Sequence, residues 1–148
     1  MSIYPFNTTT RLKSKGMSVY GRCLALLVGA LLIAITVYLS FSNEPRLLHV
    51  ENGDKYGHFL AYFVLMIWFG LIFPSLVSHL VSAVVLSGMG IAIELLQRLT
   101  VTRAFELLDA VASVSGVLMA LMVLLAGSQM VGSLIRSSDL QREKRSTS

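Results

Sequence analysis

The chain has 148 residues, 55% of them hydrophobic and 14% charged, with a mean hydropathy of +0.73 and a formal net charge of +4. A soluble domain carries about 25% charged residues, so this composition excludes an ordinary water-soluble globule and points to a membrane protein. The tails hold about 20 residues each, too few for a core, so no soluble domain is expected beside the membrane part.

The amino-terminal tail, residues 1–20, is polar; with Arg22 just beyond it, Arg11, Lys13 and Lys15 form a basic group containing no acid. Met17 offers a second plausible start, and the sequence leaves open which methionine initiates. A first apolar run predicts a span near 21–41. Its core is longer than the 7–15 residues of a signal peptide and no A-x-A site follows, so an uncleaved anchor is expected. Cys23, the single cysteine, can form no intramolecular disulfide and is expected to be a packed thiol.

The first connection holds Glu44, Arg46, Glu51, Asp54 and Lys55, three acids against two bases. A second span is predicted near 57–73, and at its start Asp54, Lys55, His58 and Tyr62 fall on one helical face. Asp54 is read either as a cap on this helix or as part of a site. Phe73-Pro74-Ser75 breaks an apolar run too long for a single crossing of about 30 Å, and a third span is predicted near 76–96.

Near the end of that span Glu94 stands among Ile91, Ala92, Ile93, Leu95 and Leu96. A carboxylate deep in a span costs about 2.5–3.5 kcal/mol on insertion scales, less near the interface. It is expected to turn inward and meet Lys55, Arg103 or His58, on a face it shares with Ala83, Ser87, Gly90 and Gln97. After Arg98, Arg103 and Glu106, a fourth span is predicted near 109–127. Its face of Asp109, Ala112, Ser113, Gly116 and Ala120 is the small-residue surface through which helices approach closely in lipid. Residues 128–148 then read as a tail carrying Arg136, Arg142, Lys144 and Arg145 against Asp139 and Glu143.

Lys and Arg are retained on the cytoplasmic side, so both tails are expected inside. The expected fold is an all-α integral-membrane four-helix bundle, 21–127, with both termini cytoplasmic. Closing the small-residue faces would gather Asp54, His58, Glu94 and Asp109 at one depth near the outer interface, in a polar pocket.

The order of these residues resembles the VanZ-like membrane proteins over roughly 50–127. Asp54-Lys55-Tyr56-Gly57-His58-Phe59-Leu60-Ala61-Tyr62 is similar to the family's D-K-x-x-H-x-x-x-Y opening. Gly90-Ile91-Ala92-Ile93-Glu94-Leu95-Leu96-Gln97 is similar to its small-residue helix ending in E-x-x-Q. Arg103, Asp109, Ser113 and Gly116 stand where the family has Arg, Asp and N-x-x-G; Ser113 replaces the usual Asn and lacks its paired amide geometry. The resemblance implies a multi-pass protein of the bacterial inner membrane acting at the cell envelope. The family is named for a member linked to low-level resistance to teicoplanin, a glycopeptide.

Two functions remain open. In one, the chain is an envelope enzyme or lipid-modifying factor, with His58, Glu94 and Asp109 as catalytic candidates sharing acid–base work. Asp54, Lys55, Tyr62, Gln97, Arg103 and Ser113 are then ligand-binding candidates, with Lys55 and Arg103 suited to the phosphate of a lipid-linked intermediate. In the other, the chain is a non-enzymatic accessory protein that binds a lipid or glycopeptide, or whose acids only lock the bundle. A metal on Asp54, His58, Glu94 and Asp109 would be oxygen-rich, but Lys55 and Arg103 compete for those acids, so neither metal nor cofactor is expected. Transport ranks lower, for want of an inverted repeat. Despite a pI of about 9.5, no nucleic-acid binding is expected, because the positive charge lies in tails flanking spans.

Overall fold

The computed structural model describes residues 18–42, 53–97 and 107–146, all helical apart from short capping and turn residues. The elements are α1 (Val19–Phe41), α2 (Gly53–Ile72), α3 (Leu76–Gln97) and α4 (Leu107–Ser146). Each has a stretch long and apolar enough to cross a membrane.

The helices begin and end where the sequence supplies caps or breaks. Ser18 caps α1 by accepting from the Gly21 N–H at 3.1 Å. Pro74 lies in the short non-helical turn between α2 and α3. Ser75 Oγ accepts from the Ser78 N–H at 3.1 Å and so starts α3. Buried His79 reaches back from α3 to the Gly70 carbonyl at 3.1 Å, satisfying one of the last, otherwise orphaned oxygens of α2. A carbonyl only accepts, so Nε2 of His79 carries the proton.

Contacts fix the direction of every helix. Trp68, near the end of α2, donates from Nε1 to the Ala25 carbonyl near the start of α1 at 3.0 Å. Gln97, ending α3, donates to the carbonyl of Ser40, ending α1. Gly70 of α2 abuts Leu124 of α4. The bundle is therefore up-down-up-down, and the start of α1 lies at the same end as the latter part of α4.

Close backbone approach holds α2 to α4. A Cβ on Gly116 would stand 2.2 Å from the Phe59 carbonyl oxygen, so only glycine fits there. Gly90 brings α3 to the same seam, where a Cβ would lie 2.9 Å from Ser113 Cβ and 3.2 Å from Tyr62 Cζ. The core beneath is Tyr62, Leu65, Met66, Ala83, Leu86, Val117 and Ala120. Large apolar side chains cover the outside, among them Leu24, Leu31, Leu60, Val84, Leu95 and Leu118. That is the surface expected where the solvent is lipid, with small and polar groups turned inward.

One expectation needs correcting, and two helices reach beyond the spans read from the sequence. Helix α2 begins at Gly53, ahead of the span read near 57–73, so Asp54 and Lys55 are helical as their shared face with His58 and Tyr62 required, and Asp54 sits in the first turn and not at the cap. Cys23 is exposed on α1, not packed. Helix α4 runs on through the stretch read as a tail from residue 128, as far as Ser146, and serines there bond back to the carbonyls three residues earlier.

Candidate functional site

Four of the polar side chains singled out in the sequence meet at one end of the bundle, where α2 and α4 begin and α3 ends. His58 is one turn into α2, Glu94 one turn from the end of α3, and Asp109 in the first turn of α4. One ligand-type atom from each of these three lies within 4.8 Å of the others. Lys55, one turn before His58, is the fourth, with Nζ 3.9 Å from Asp109 Oδ1.

Helical periodicity produces this meeting. His58 and Tyr62 are four residues apart, as are Gly90 and Glu94, and Asp109 and Ser113. In each pair one member forms the tight seam and the other lies one turn nearer the bundle end. The glycines set how close the polar groups come.

Glu94 is the most deeply placed of the described charged residues, 1% exposed, and its Oε1 lies 3.7 Å from His58 Nε2. Of the three partners expected for it, His58 is met here, and Lys55 lies beside Asp109 in the same cluster. Arg103 lies outside the described residues, as do Arg98 and Glu106.

Ser113 orders the imidazole. It is fully buried, and its hydroxyl donates to the Asp109 carbonyl one turn back at 3.0 Å. With its proton so committed, Oγ can only accept from His58 Nδ1, 3.4 Å away. His58 therefore carries hydrogen on Nδ1, and Nε2 is the nitrogen presented to Glu94. A lone pair on Nε2 facing a buried carboxylate is stabilised by a positive centre between them, which a proton or a metal ion supplies.

Tyr62 is completely buried, and its hydroxyl has no hydrogen-bond partner among the described residues. Its ring presses on Gly90 beside Ser113. Gln97 is also buried, but its amide N–H is turned to α1 and fastens that helix to α3. Asp54 is half-buried in the first turn of α2 and is not one of the three converging ligand groups.

Sequence reasoning missed the part played by α1. Its buried residues are Gly29, Thr36 and Ser40, and Ser40 supplies the carbonyl that Gln97 needs. The Ser and Thr hydroxyls bond to carbonyls four residues back in their own helix, so they show no periodic signal of a partner.

The family models, the curated proteins and the solved structures compared with this chain gave no match.

Proposed function

We propose that the chain is a VanZ-like protein of the bacterial inner membrane that binds, or acts on, the polar headgroup of a cell-envelope component. The convergence of His58, Glu94 and Asp109, with Lys55 at its rim, carries this reading. Two acids, an imidazole and an ammonium at the end of an otherwise apolar bundle cost free energy in lipid, and such groups mark sites where polar chemistry is handled. The order of the D-K-x-x-H, E-x-x-Q and Arg/Asp/Ser-x-x-Gly blocks supports the family assignment. The basic tails support cytoplasmic termini, which puts the cluster at the outer leaflet.

In this reading Lys55 receives an anionic group such as the phosphate of a lipid-linked intermediate, and Tyr62 offers its hydroxyl below. His58, held by Ser113, exchanges a proton under the influence of Glu94. A glycopeptide such as teicoplanin is an alternative ligand for the same groups.

Native mass spectrometry of the purified chain beside the double variant His58→Ala/Glu94→Gln tests the reading. A lipid or envelope-precursor adduct is expected on the wild type and absent from the variant, with helicity unchanged. Cells expressing the wild type should also differ from those expressing the variant in teicoplanin susceptibility. The same adducts on both proteins, with equal susceptibility, would overturn it.

The Lys55–Asp109 and His58–Glu94 pairs favour a second reading, in which the charges only lock the bundle. There Glu94→Asp preserves function, whereas a proton-exchanging group is displaced by the shorter side chain and loses it.

A further inference from the structure

The headgroup reading leaves the mutual spacing of the three ligand atoms unexplained. We propose that His58 Nε2 and the carboxylates of Glu94 and Asp109 bind one divalent cation of the zinc or manganese class at the junction of α2, α3 and α4. This goes beyond headgroup binding and does not depend on it.

Spacing is the first support. Metal bonds of about 2.1 Å in tetrahedral array put neighbouring ligand atoms about 3.4 Å apart. His58 Nε2 and Glu94 Oε1 are 3.7 Å apart, longer than a hydrogen bond and close to a shared-metal edge. The full set lies within 4.8 Å, and small side-chain rotations of the two carboxylates close the remainder.

Orientation is the second. A metal-binding histidine typically donates its other N–H to a fixed acceptor, which sets the ring and the tautomer. Ser113 Oγ is that acceptor for Nδ1–H, and Ser113 is itself held by the Asp109 carbonyl. The second ligand shell is thus built from the same helix turn that delivers Asp109.

Charge is the third. Two carboxylates and a neutral imidazole balance a divalent cation, which suits a buried site where an uncompensated charge is costly. One nitrogen and two carboxylates favour zinc or manganese over calcium or magnesium, whose sites are built from oxygen. Three protein ligands leave a coordination position open. The Tyr62 hydroxyl, buried and without a hydrogen-bond partner among the described residues, is available to whatever occupies that position.

Lys55 gives the proposal its sharpest consequence. Its ammonium is 3.9 Å from Asp109 Oδ1 and competes with the cation for that carboxylate. It is one turn nearer the helix start and a quarter exposed, so it can swing to the interface when the cation arrives.

The test is metal titration of the chelator-stripped, full-length chain in detergent with Zn²⁺ and, separately, Mn²⁺, reading bound ion by elemental mass spectrometry after gel filtration. One ion per chain is expected. His58→Ala, Glu94→Gln and Asp109→Asn should each weaken binding about tenfold or more, while Lys55→Gln should tighten it several-fold. Lys55→Gln keeps all three ligands, so the answer does not depend on the ligand variants folding. His79→Gln, at the far end of the bundle, should leave the stoichiometry at one. Failure to retain either ion, a stoichiometry indifferent to all three ligand variants, or weaker binding in Lys55→Gln would overturn the proposal. A bound ion without any lipid adduct would support this site and count against the headgroup reading; an adduct on a chain that retains neither ion would do the reverse.

Discussion

Tyr62 places a phenol hydroxyl in a fully buried position with no hydrogen-bond partner among the described residues to offset its desolvation. A buried hydroxyl left unpaired costs about 1–3 kcal/mol, so removing it relieves a penalty. Tyr62→Phe is therefore expected to leave thermal stability in detergent unchanged or to raise it by about 1 kcal/mol, and to reduce ligand or metal affinity. A clear fall in melting temperature would mean that the hydroxyl is satisfied in the folded chain and has no role reserved for a ligand. Much at this scale was legible from spacing alone. His58, Glu94 and Asp109 sit where 3.6-residue periodicity predicts, the two acids on small-residue faces and His58 on the face of Lys55 and Tyr62. What periodicity could not supply was the pairing: which cation meets which acid depends on a few ångströms of helix offset, and it sends Lys55 to Asp109 and His58 to Glu94. Nor could it foresee Ser113 as the acceptor that turns the imidazole, since a serine on a small-residue face reads as packing.

The four helices were legible from their apolar runs and the α2–α3 turn from Pro74, but the way they lock together was not. The seam between α2 and α4 depends on Gly116 lying against the Phe59 backbone, which cannot give way. Gly116→Val is expected to cost at least about 3 kcal/mol and to separate the helices that carry His58 and Asp109. Gly70→Ala makes a useful contrast. Its new Cβ would meet the tip of Leu124, a side chain that can rotate, so a loss of about 1 kcal/mol or less is expected. Denaturant or thermal melts of the two variants check this, and equal losses would show that the seam is not backbone-limited. The docking of α1 was the least legible feature. It hangs on Gly29 against Phe69 and Trp68, on the Trp68 indole and on the Gln97 amide, all specific contacts without a repeating pattern.

Taken whole, the molecule is a bundle with one long helix passing through and beyond it. At about 1.5 Å per residue, the 40 residues of α4 run about 60 Å, twice the thickness of a bilayer core. The stretch read as a tail from residue 128 is part of this helix, since no Pro intervenes to end it. Residues from Ala126 to Leu134 are exposed, and a Cβ added at Gly127 or Gly132 would meet nothing. Truncation after Gly132 is therefore expected to leave bundle stability within about 0.5 kcal/mol and ligand or metal binding unchanged. Binding measured on the purified truncated chain checks it. Lost binding would assign the distal helix a part in the site.

The unequal lengths of the first three helices have a consequence for the membrane itself. Helix α2 has 20 residues against 23 in α1 and 22 in α3, so it spans about 30 Å where its neighbours span about 33–35 Å. His58 lies near one end of this shortest member, which matches a typical hydrocarbon core with nothing to spare. A thicker bilayer would draw Lys55 and His58 below the headgroups, and a thinner one would flood them with water. Acyl-chain length thus becomes a dial on the hydration of the cluster, and the lipids around the bundle tune it as directly as any substitution within it.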